Sequence, residues 1–136
     1  MAVTEVIRLT HPRFFSREHG RFSSSAFRIY GDGASVICTS CVGKTGASLC
    51  AHIAQYYRGV GGEPPVFKRY KTSEFGTGAR LEACPSTSGD PCHYDLKGLT
   101  NGQLRNLMKS APLDSFEICA PDGLRNLAAN DTKDWP

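Results

Sequence analysis

Short strand-like segments separated by glycine and proline turns run through most of the chain and limit the folds it can adopt. Runs of β-branched and aromatic residues bounded by turn residues are typical of strands. Such runs occupy residues 4–10, 26–30, 35–39, 66–70, 80–84, 92–96 and 116–120. They do not alternate regularly with helices as a parallel α/β fold requires. The pattern predicts an α+β fold with a curved, mostly antiparallel sheet and two or three helices.

Apolar spacing predicts the first helix over residues 46–58. Four apolar side chains recur there at i, i+4, i+7 and i+8 and form one face. They are Leu49, Ile53, Tyr56 and Tyr57. Thr45 precedes them as an N-cap. His52 lies at the border of the apolar face, where a packed, hydrogen-bonded histidine is more common than a catalyst or a ligand.

Capping residues predict the later helices. Thr100 and Gln103 have the spacing of a capping box, and the helix they open ends at Pro112. Asp122 has the position of a cap for a short helix that carries Leu124 and Leu127. Residues 12–23 contain turn formers and are expected to be a loop.

The length of 136 residues is that of one domain. We expect a single globular domain over residues 1–129 and a flexible tail over residues 130–136. Glu5 and Arg8 stand where a signal peptide needs an apolar run, and no segment is long enough to span a membrane. We therefore expect a cytoplasmic protein. The net charge of +3 permits an anionic ligand, but it is far from that of a dedicated nucleic-acid binder.

Six cysteines are unusual for this length. Without an export signal they are expected to be reduced, and Cys38, Cys50 and Cys84 to be buried as small apolar residues. Cys38 and Cys41 form the one CxxC, whereas a structural zinc site uses two close ligand pairs. We therefore expect no metal, with a zinc site or an oxidised pair as the alternatives.

The stretch HGRFSSSAF, residues 19–27, concentrates polar chemistry in nine positions. Arg21 and the serines Ser24 and Ser25 lie there between two aromatic anchors. Turn-forming and loop-solubilising serines are the simpler interpretation of this run. As a site, the arginine would bind phosphate as a planar fork and the hydroxyls would hydrogen-bond the same ligand.

Two further polar groups lie at predicted strand ends, where functional residues concentrate. Arg8 and His11 close the first strand, and Asp90 precedes His93 by three residues. Arg8 would share phosphate binding, and His11 or His93 would perform acid–base work near neutral pH. Asp90 would orient the His93 imidazole. We expect His11, the serines and His93 to line one cleft. The simpler interpretation is a turn at Asp90 and structural histidines.

Three established motifs are incomplete here. Gly43-Lys44-Thr45 matches the end of a phosphate-binding loop, but Cys38 stands where the first glycine belongs. No Gly-x-Ser-x-Gly elbow of a serine hydrolase is present. A zinc deaminase needs His/Cys-x-Glu followed by Pro-Cys-x-x-Cys. The segments Cys50-Ala51-His52 and Pro91-Cys92-His93 lack the glutamate and the last cysteine of this pattern. These enzyme classes are therefore disfavoured.

The order of the polar groups is similar to that of one set of bacterial proteins. His11-Pro12, the GRFSSSAFR segment, ASV and GDPCH follow one another as in small uncharacterised bacterial proteins with the pattern HP…GRxSSxAF…SV…DPxH. The resemblance covers residues 7–110 and implies an order of elements without a reaction. The chain also resembles the ADP-ribosyltransferase superfamily, including the RES-type toxins. That resemblance implies an early strand that cradles NAD, here over residues 6–11, and a catalytic glutamate.

These observations give two hypotheses. The first is a small cytoplasmic bacterial enzyme that acts on a nucleotide or NAD-like anionic ligand, as a toxin or defence effector of ADP-ribosyltransferase-like type. NAD is then the candidate cofactor, and Glu63, Glu74 and Glu82 are candidates for the glutamate. The second is a non-enzymatic binding or inhibitor protein, related to phage or immunity, that uses its Ser, Arg and Tyr surface for contact with a protein partner.

Overall fold

The structure is a computed structural model. It describes residues 3–10, 15–16, 21–22, 34–43, 45–57, 66–83, 89–100, 102–103, 106, 113–120 and 123–127.

Seven of the nine strands in the described ranges form one sheet, and all of its pairings are antiparallel. The strands in chain order are β1 Glu5–Thr10, β2 Phe15–Ser16, β3 Arg21–Phe22, β4 Ala34–Cys38, β5 Val66–Lys71, β6 Arg80–Ala83, β7 His93–Lys97, β8 Phe116–Ala120 and β9 Gly123–Asn126. The order across the sheet is β6-β7-β4-β1-β5-β8-β9, and β2 pairs with β3 separately. This is the predicted α+β arrangement with an antiparallel sheet, but the predicted curvature is not seen, since the sheet is open and is neither curled nor closed.

The central strands carry apolar side chains on both faces, because neighbouring residues on a strand point to opposite sides. Val6 belongs to one buried cluster, which also contains Val36, Tyr70 and Phe116. Ile7, the next residue, belongs to a second cluster on the other face. The main helix covers that second face, so the sheet is buried most deeply at β1, β4 and β5.

Two helices follow β4: α1, Thr39–Val42, and the main helix α2, Gly46–Tyr56. The predicted cap is confirmed, since Thr45 Oγ1 accepts a hydrogen bond of 3.0 Å from the amide of Ser48. Leu49 and Ile53 are buried against the sheet, as the apolar spacing predicted. Helix α2 ends at Tyr56, two residues before the predicted end at residue 58.

Two predicted elements are wrong in the described part of the chain. Residues 12–23 were expected to be a loop, but β2 and β3 pair there, with Phe15 opposite Phe22. The helix predicted after Asp122 is instead strand β9, which pairs with β8 from Ala120↔Gly123 onward. Apolar residues three apart fit one helical face but opposite faces of a strand.

Leu124 and Leu127 show this second arrangement. Leu124 packs against the cluster on the helix side of the sheet, and Leu127 is buried in the opposite cluster. The two-residue separation of β8 and β9 along the chain favours a hairpin over a helix, because antiparallel neighbours are commonly joined by two residues.

Some predicted elements fall outside the described residues. These are the strand over residues 26–30, most of the helix after Thr100 and the tail over residues 130–136. The capping box itself is present, since the amide of Thr100 donates to Gln103 Oε1 over 2.8 Å and the amide of Gln103 donates to Thr100 Oγ1 over 3.1 Å. No helix in the described ranges is long and apolar enough to cross a membrane.

The expectation of six reduced cysteines is wrong for this structure. Disulfides join Cys41 to Cys92 and Cys50 to Cys119. Each joins positions that are far apart in the sequence, so local spacing gave no signal for the pairing. Cys38 is a buried free thiol, as expected. Cys84 lies outside the described residues.

We predict that the Cys50–Cys119 disulfide stabilises the contact between α2 and β8. The two cysteines are 69 residues apart, and cross-links of long loops typically add about 2–4 kcal/mol to the free energy of unfolding. The double variant Cys50→Ser/Cys119→Ser should lose about that much in urea unfolding. Adding a reductant should then lower the free energy of unfolding less in the variant than in the wild type. An equal loss of unfolding free energy on reduction in both proteins would contradict the stabilising role of this disulfide.

Gly98, which follows β7, is expected to tolerate no side chain. Its φ is +87°, and an added Cβ would overlap the carbonyl oxygen of Gly78. Gly98→Ala should lower the free energy of unfolding by about 2–5 kcal/mol, because left-handed strain and overpacking add. Gly89→Ala is the control, since its φ is +84° with no atom within 4 Å of the added Cβ. That variant should lose only about 1–2 kcal/mol, and equal losses would remove the packing argument.

Candidate active site

The site begins where β1 and β4 separate. β1 pairs with β5 along six residue pairs, but its described pairing with β4 covers only Val6↔Cys38 and Ile7↔Ile37. A cleft of about 350 Å³ lies beyond this point. Its wall is formed by Ile7, Arg8, Leu9, Ser35, Val36, Ile37, Tyr57, His93 and Asp95. The volume is within the range of small-molecule sites, and so is an apolar wall with a few polar groups.

Ser35 and His93 form the polar centre of the cleft. Ser35 Oγ lies 2.6 Å from His93 Nε2. The antiparallel register explains the contact, because Ile37 is opposite His93 and Ser35 is opposite Asp95 on the same face. Asp95 Oδ1 lies 4.0 Å from the same Nε2. Three polar side chains of two neighbouring strands therefore meet in one place.

Arg8 bridges the gap between the two separating strands. Its Nη1 donates a hydrogen bond of 2.8 Å to the carbonyl oxygen of Ser35. Strand alternation places Arg8 on the face of Val6 and Tyr70, opposite to His93. Burial raises the pKa of Tyr70, and the nearby charge of Arg8 opposes that rise. Arg8 thus brings a positive charge to the cleft wall from the other face of the sheet.

Asp90 lies behind the cleft in a buried polar network. Its side chain is fully buried. Tyr57 Oη donates to Asp90 Oδ2 over 2.5 Å, and the amide of Cys92 donates to Oδ1 over 2.8 Å. His52 Nε2 is 2.9 Å from the same Oδ1. Because Tyr57 also lines the cleft, it connects this network to the Ser35–His93 pair.

The pKa of Asp90 is lowered despite its burial. Burial raises it, but the hydroxyl of Tyr57, the imidazole of His52 and the amide of Cys92 together stabilise the carboxylate more strongly. A folded-state pKa below the unfolded value near about 4 adds stability that is fully present above that pH. This stability is lost as the pH falls through the folded-state pKa.

We therefore predict that acid destabilises the protein partly through Asp90. Urea unfolding of the wild type and of Asp90→Asn should be compared between about pH 7 and about pH 2, below the unfolded pKa. The free energy of unfolding of the wild type should fall more steeply at the acid end than that of the variant. Parallel curves would contradict the assignment.

The structure brings some of the predicted site residues together. Arg8 and His93 both line the cleft. The Asp90 carboxylate, which we expected to orient His93, contacts His52, Tyr57 and the Cys92 amide. The amide of His93 donates to the carbonyl oxygen of Asp90 over 3.4 Å.

The other predicted residues are not described at the side-chain level. Arg21 is placed as part of β3, without its side chain. His11, Ser24 and Ser25 lie outside the described residues. Their convergence with His93 stays a prediction.

Four further residues were not predicted to belong to the site. Ser35 and Asp95 enter it through the β4–β7 register, which depends on a long-range pairing that the sequence does not specify. The helical spacing places Tyr57 on the apolar face of α2 and His52 at its border, so neither is predicted to belong to a site. Both residues place a polar group, a hydroxyl or an imidazole, beside the apolar face of the helix. Such a group needs a buried partner, which here is the Asp90 carboxylate.

His52, Asp90 and Cys92 are also the described residues whose side-chain donors could hold a metal ion. One donor atom from each lies within 4.8 Å of the other two.

Comparisons with protein-family models, curated proteins and solved structures found no match for this chain.

Proposed function

We propose that the protein is a small enzyme that acts on a nucleotide or NAD-like anionic ligand bound in the cleft between β1 and β4. The observation that carries this proposal is the Ser35–His93 contact of 2.6 Å inside that cleft. A hydroxyl bonded to an imidazole is the arrangement of an activated nucleophile and its base. A histidine is also the side chain best suited to proton transfer near neutral pH.

The remaining cleft residues suit such a ligand. Leu9 offers a partly exposed apolar surface against which a base or ribose can pack, whereas Ile7 and Ile37 on the same wall are buried. The guanidinium of Arg8 lies on the cleft wall, and guanidinium groups match phosphate oxygens. Asp95 adds an acceptor for ribose hydroxyls. Arg21, Ser24, Ser25 and His11 would extend the site from the preceding segment.

Ser35 and His93 would divide the chemistry between them. His93 would take the proton of Ser35 or of a bound substrate hydroxyl, since its Nε2 faces Ser35 Oγ. Asp95 approaches the same nitrogen, so it does not occupy the place of a carboxylate that orients the ring through the other nitrogen. Asp95 would therefore contact the ligand.

The narrower form of the proposal is an ADP-ribosyltransferase-like toxin or defence effector that uses NAD in the cytoplasm. It needs a glutamate in the cleft. Glu74 accepts from the amide of Lys71 on a turn after β5, and Glu82 pairs with Lys97 and Arg80 on the edge strand β6. Neither lines the cleft. Glu63 lies outside the described residues, so it is the candidate to test.

The alternative, a non-enzymatic binding or inhibitor protein, draws on the burial of His93. Its side chain is 6% exposed and is already bonded to Ser35. A histidine in this state can serve the fold alone, and a surface of Ser, Arg and Tyr residues would then contact a protein partner.

A ligand screen separates the two proposals. Melting temperatures should be measured with ATP, NAD, ADP-ribose and inorganic phosphate, followed by chromatographic assays for ligand turnover. The enzyme proposal predicts a higher melting temperature with at least one nucleotide, and product formation that requires Ser35. Stabilisation without turnover would support the ligand class and contradict the enzyme. No stabilisation by any of these ligands would contradict the proposed ligand class and favour the protein-binding alternative.

A further inference from the structure

We propose that reduction of the Cys41–Cys92 disulfide creates a zinc-class metal site formed by Cys41, His52, Asp90 and Cys92. The site lies behind the cleft and goes beyond the proposed function, because none of these four residues takes part in the chemistry assigned to Ser35 and His93.

The fold brings three donor groups close together, and the disulfide attaches the sulfur of Cys41 to one of them. Cys41 lies on α1, His52 on α2, and Asp90 and Cys92 immediately precede β7. The nitrogen, oxygen and sulfur donors of His52, Asp90 and Cys92 lie within 4.8 Å of one another. Bonds of about 2.0–2.3 Å in a tetrahedral zinc site place ligand atoms about 3.3–3.8 Å apart. Small side-chain movements of these three residues are therefore enough to reach that geometry, and Cys41 is the disulfide neighbour of Cys92.

His52 supplies an independent observation. Its Nε2 is buried and lies 2.9 Å from Asp90 Oδ1. Its side chain is 11% exposed, and that of Asp90 is fully buried. A buried imidazole nitrogen and a buried carboxylate oxygen at this distance are two ligands that zinc accepts, and a metal ion bound to both would replace their mutual contact.

The chemistry of the donors selects the class of ion. Two thiolates, an imidazole and a carboxylate form a set typical of zinc, whereas calcium and magnesium take oxygen ligands. In the disulfide form neither sulfur is a thiolate, so this set is absent. Cys38 is not included in the site, because its sulfur is hydrogen-bonded to Ser40 Oγ at 3.0 Å.

The reaction that opens the site is a thiol–disulfide exchange. A dithiol reductant gives two electrons and two protons to the Cys41–Cys92 bond, forms its own disulfide and leaves two thiols. A zinc ion then binds both sulfurs and releases two protons to solvent. Disulfide and metal are therefore alternative states of the same two cysteines.

Cobalt(II) is the probe, because thiolate ligation produces a charge-transfer absorption band. Full-length protein reduced with an immobilised dithiol and kept anaerobic should develop this band at one equivalent of cobalt and lose it when zinc is added. Oxidised protein should show no band. Cys92→Ser and His52→Gln should each weaken zinc binding about 100-fold or more, since even outer-shell losses cost 10–100-fold.

The double variant Cys50→Ser/Cys119→Ser is the control, because it removes two cysteines outside the proposed site and should keep the band. Alkylation of the wild type gives a readout that needs no variant. Zinc should protect Cys41 and Cys92 from iodoacetamide in the reduced, folded protein. Absence of the band in folded reduced protein would overturn the proposal. Equal alkylation with and without zinc, or unchanged binding in both site variants, would do the same.

Discussion

Replacing His93 with alanine should lower the turnover of the nucleotide ligand by about 10²–10⁴-fold, the usual contribution of a positioned acid–base group. The reason is the loss of the imidazole that lies 2.6 Å from Ser35 Oγ. His93 is the first residue of β7 and is buried, so His93→Gln should be assayed beside it as a better-packed variant. Turnover and melting temperature should both be measured on the same samples. His11→Ala should cause a loss of the same kind.

His52→Ala provides the contrast for these variants. It removes a side chain that contacts the buried Asp90 carboxylate and lies outside the cleft wall. It should therefore lower the melting temperature more than it lowers turnover. If folded His93→Ala and His93→Gln keep full activity, or if the His93 variants melt early while His52→Ala does not, the catalytic role of His93 is wrong.

Asp90→Ala should lower the free energy of unfolding by about 3–5 kcal/mol, the loss expected when one member of a buried charged network is removed. The carboxylate is fully buried and accepts hydrogen bonds from the hydroxyl of Tyr57 and the amide of Cys92. After truncation these donors and His52 have no acceptor in the core. Urea unfolding at neutral pH measures the loss.

Asp114→Ala is the matched control, since Asp114 is an exposed aspartate on the turn before β8. It should change the free energy of unfolding by less than about 0.5 kcal/mol, as surface substitutions usually do. A loss of similar size in both variants would show that the Asp90 network does not have the assigned role.

Local rules were sufficient where the sequence determined the element on its own. β1, β5 and β8 follow runs of apolar and β-branched residues, and α2 follows its spacing and the Thr45 cap. β9 could not be predicted in this way, because the spacing of Leu124 and Leu127 also fits a helix. The pairing with β8 decides between the two structures.

Long-range pairing accounts for most of what the sequence left undetermined. Nothing local places β4 between β1 and β7, and nothing local selects Cys92 as the partner of Cys41. The number of cysteine pairings consistent with a sequence is large, so their connectivity comes from the fold.

Only part of the site could be predicted from the sequence, because the rest depends on long-range strand pairing. His93 and Asp90 were singled out because turn residues beside a strand often carry function. Ser35 was not, because its role depends on facing His93 across the β4–β7 pair. A shift of one residue in that register would turn Ser35 to the other face of the sheet.

Calorimetric titration of one nucleotide into four proteins tests the central claim most directly. The proteins are the wild type, Ser35→Ala, His93→Gln and the control Ser73→Ala, whose serine is exposed on the turn after β5. The nucleotide is the one that most raises the melting temperature. We predict saturable binding at one site in the wild type and in Ser73→Ala, and binding at least about tenfold weaker, about 1.4 kcal/mol, in Ser35→Ala and His93→Gln. Equal affinity in all four proteins would contradict the assignment of the cleft between β1 and β4 as the ligand site.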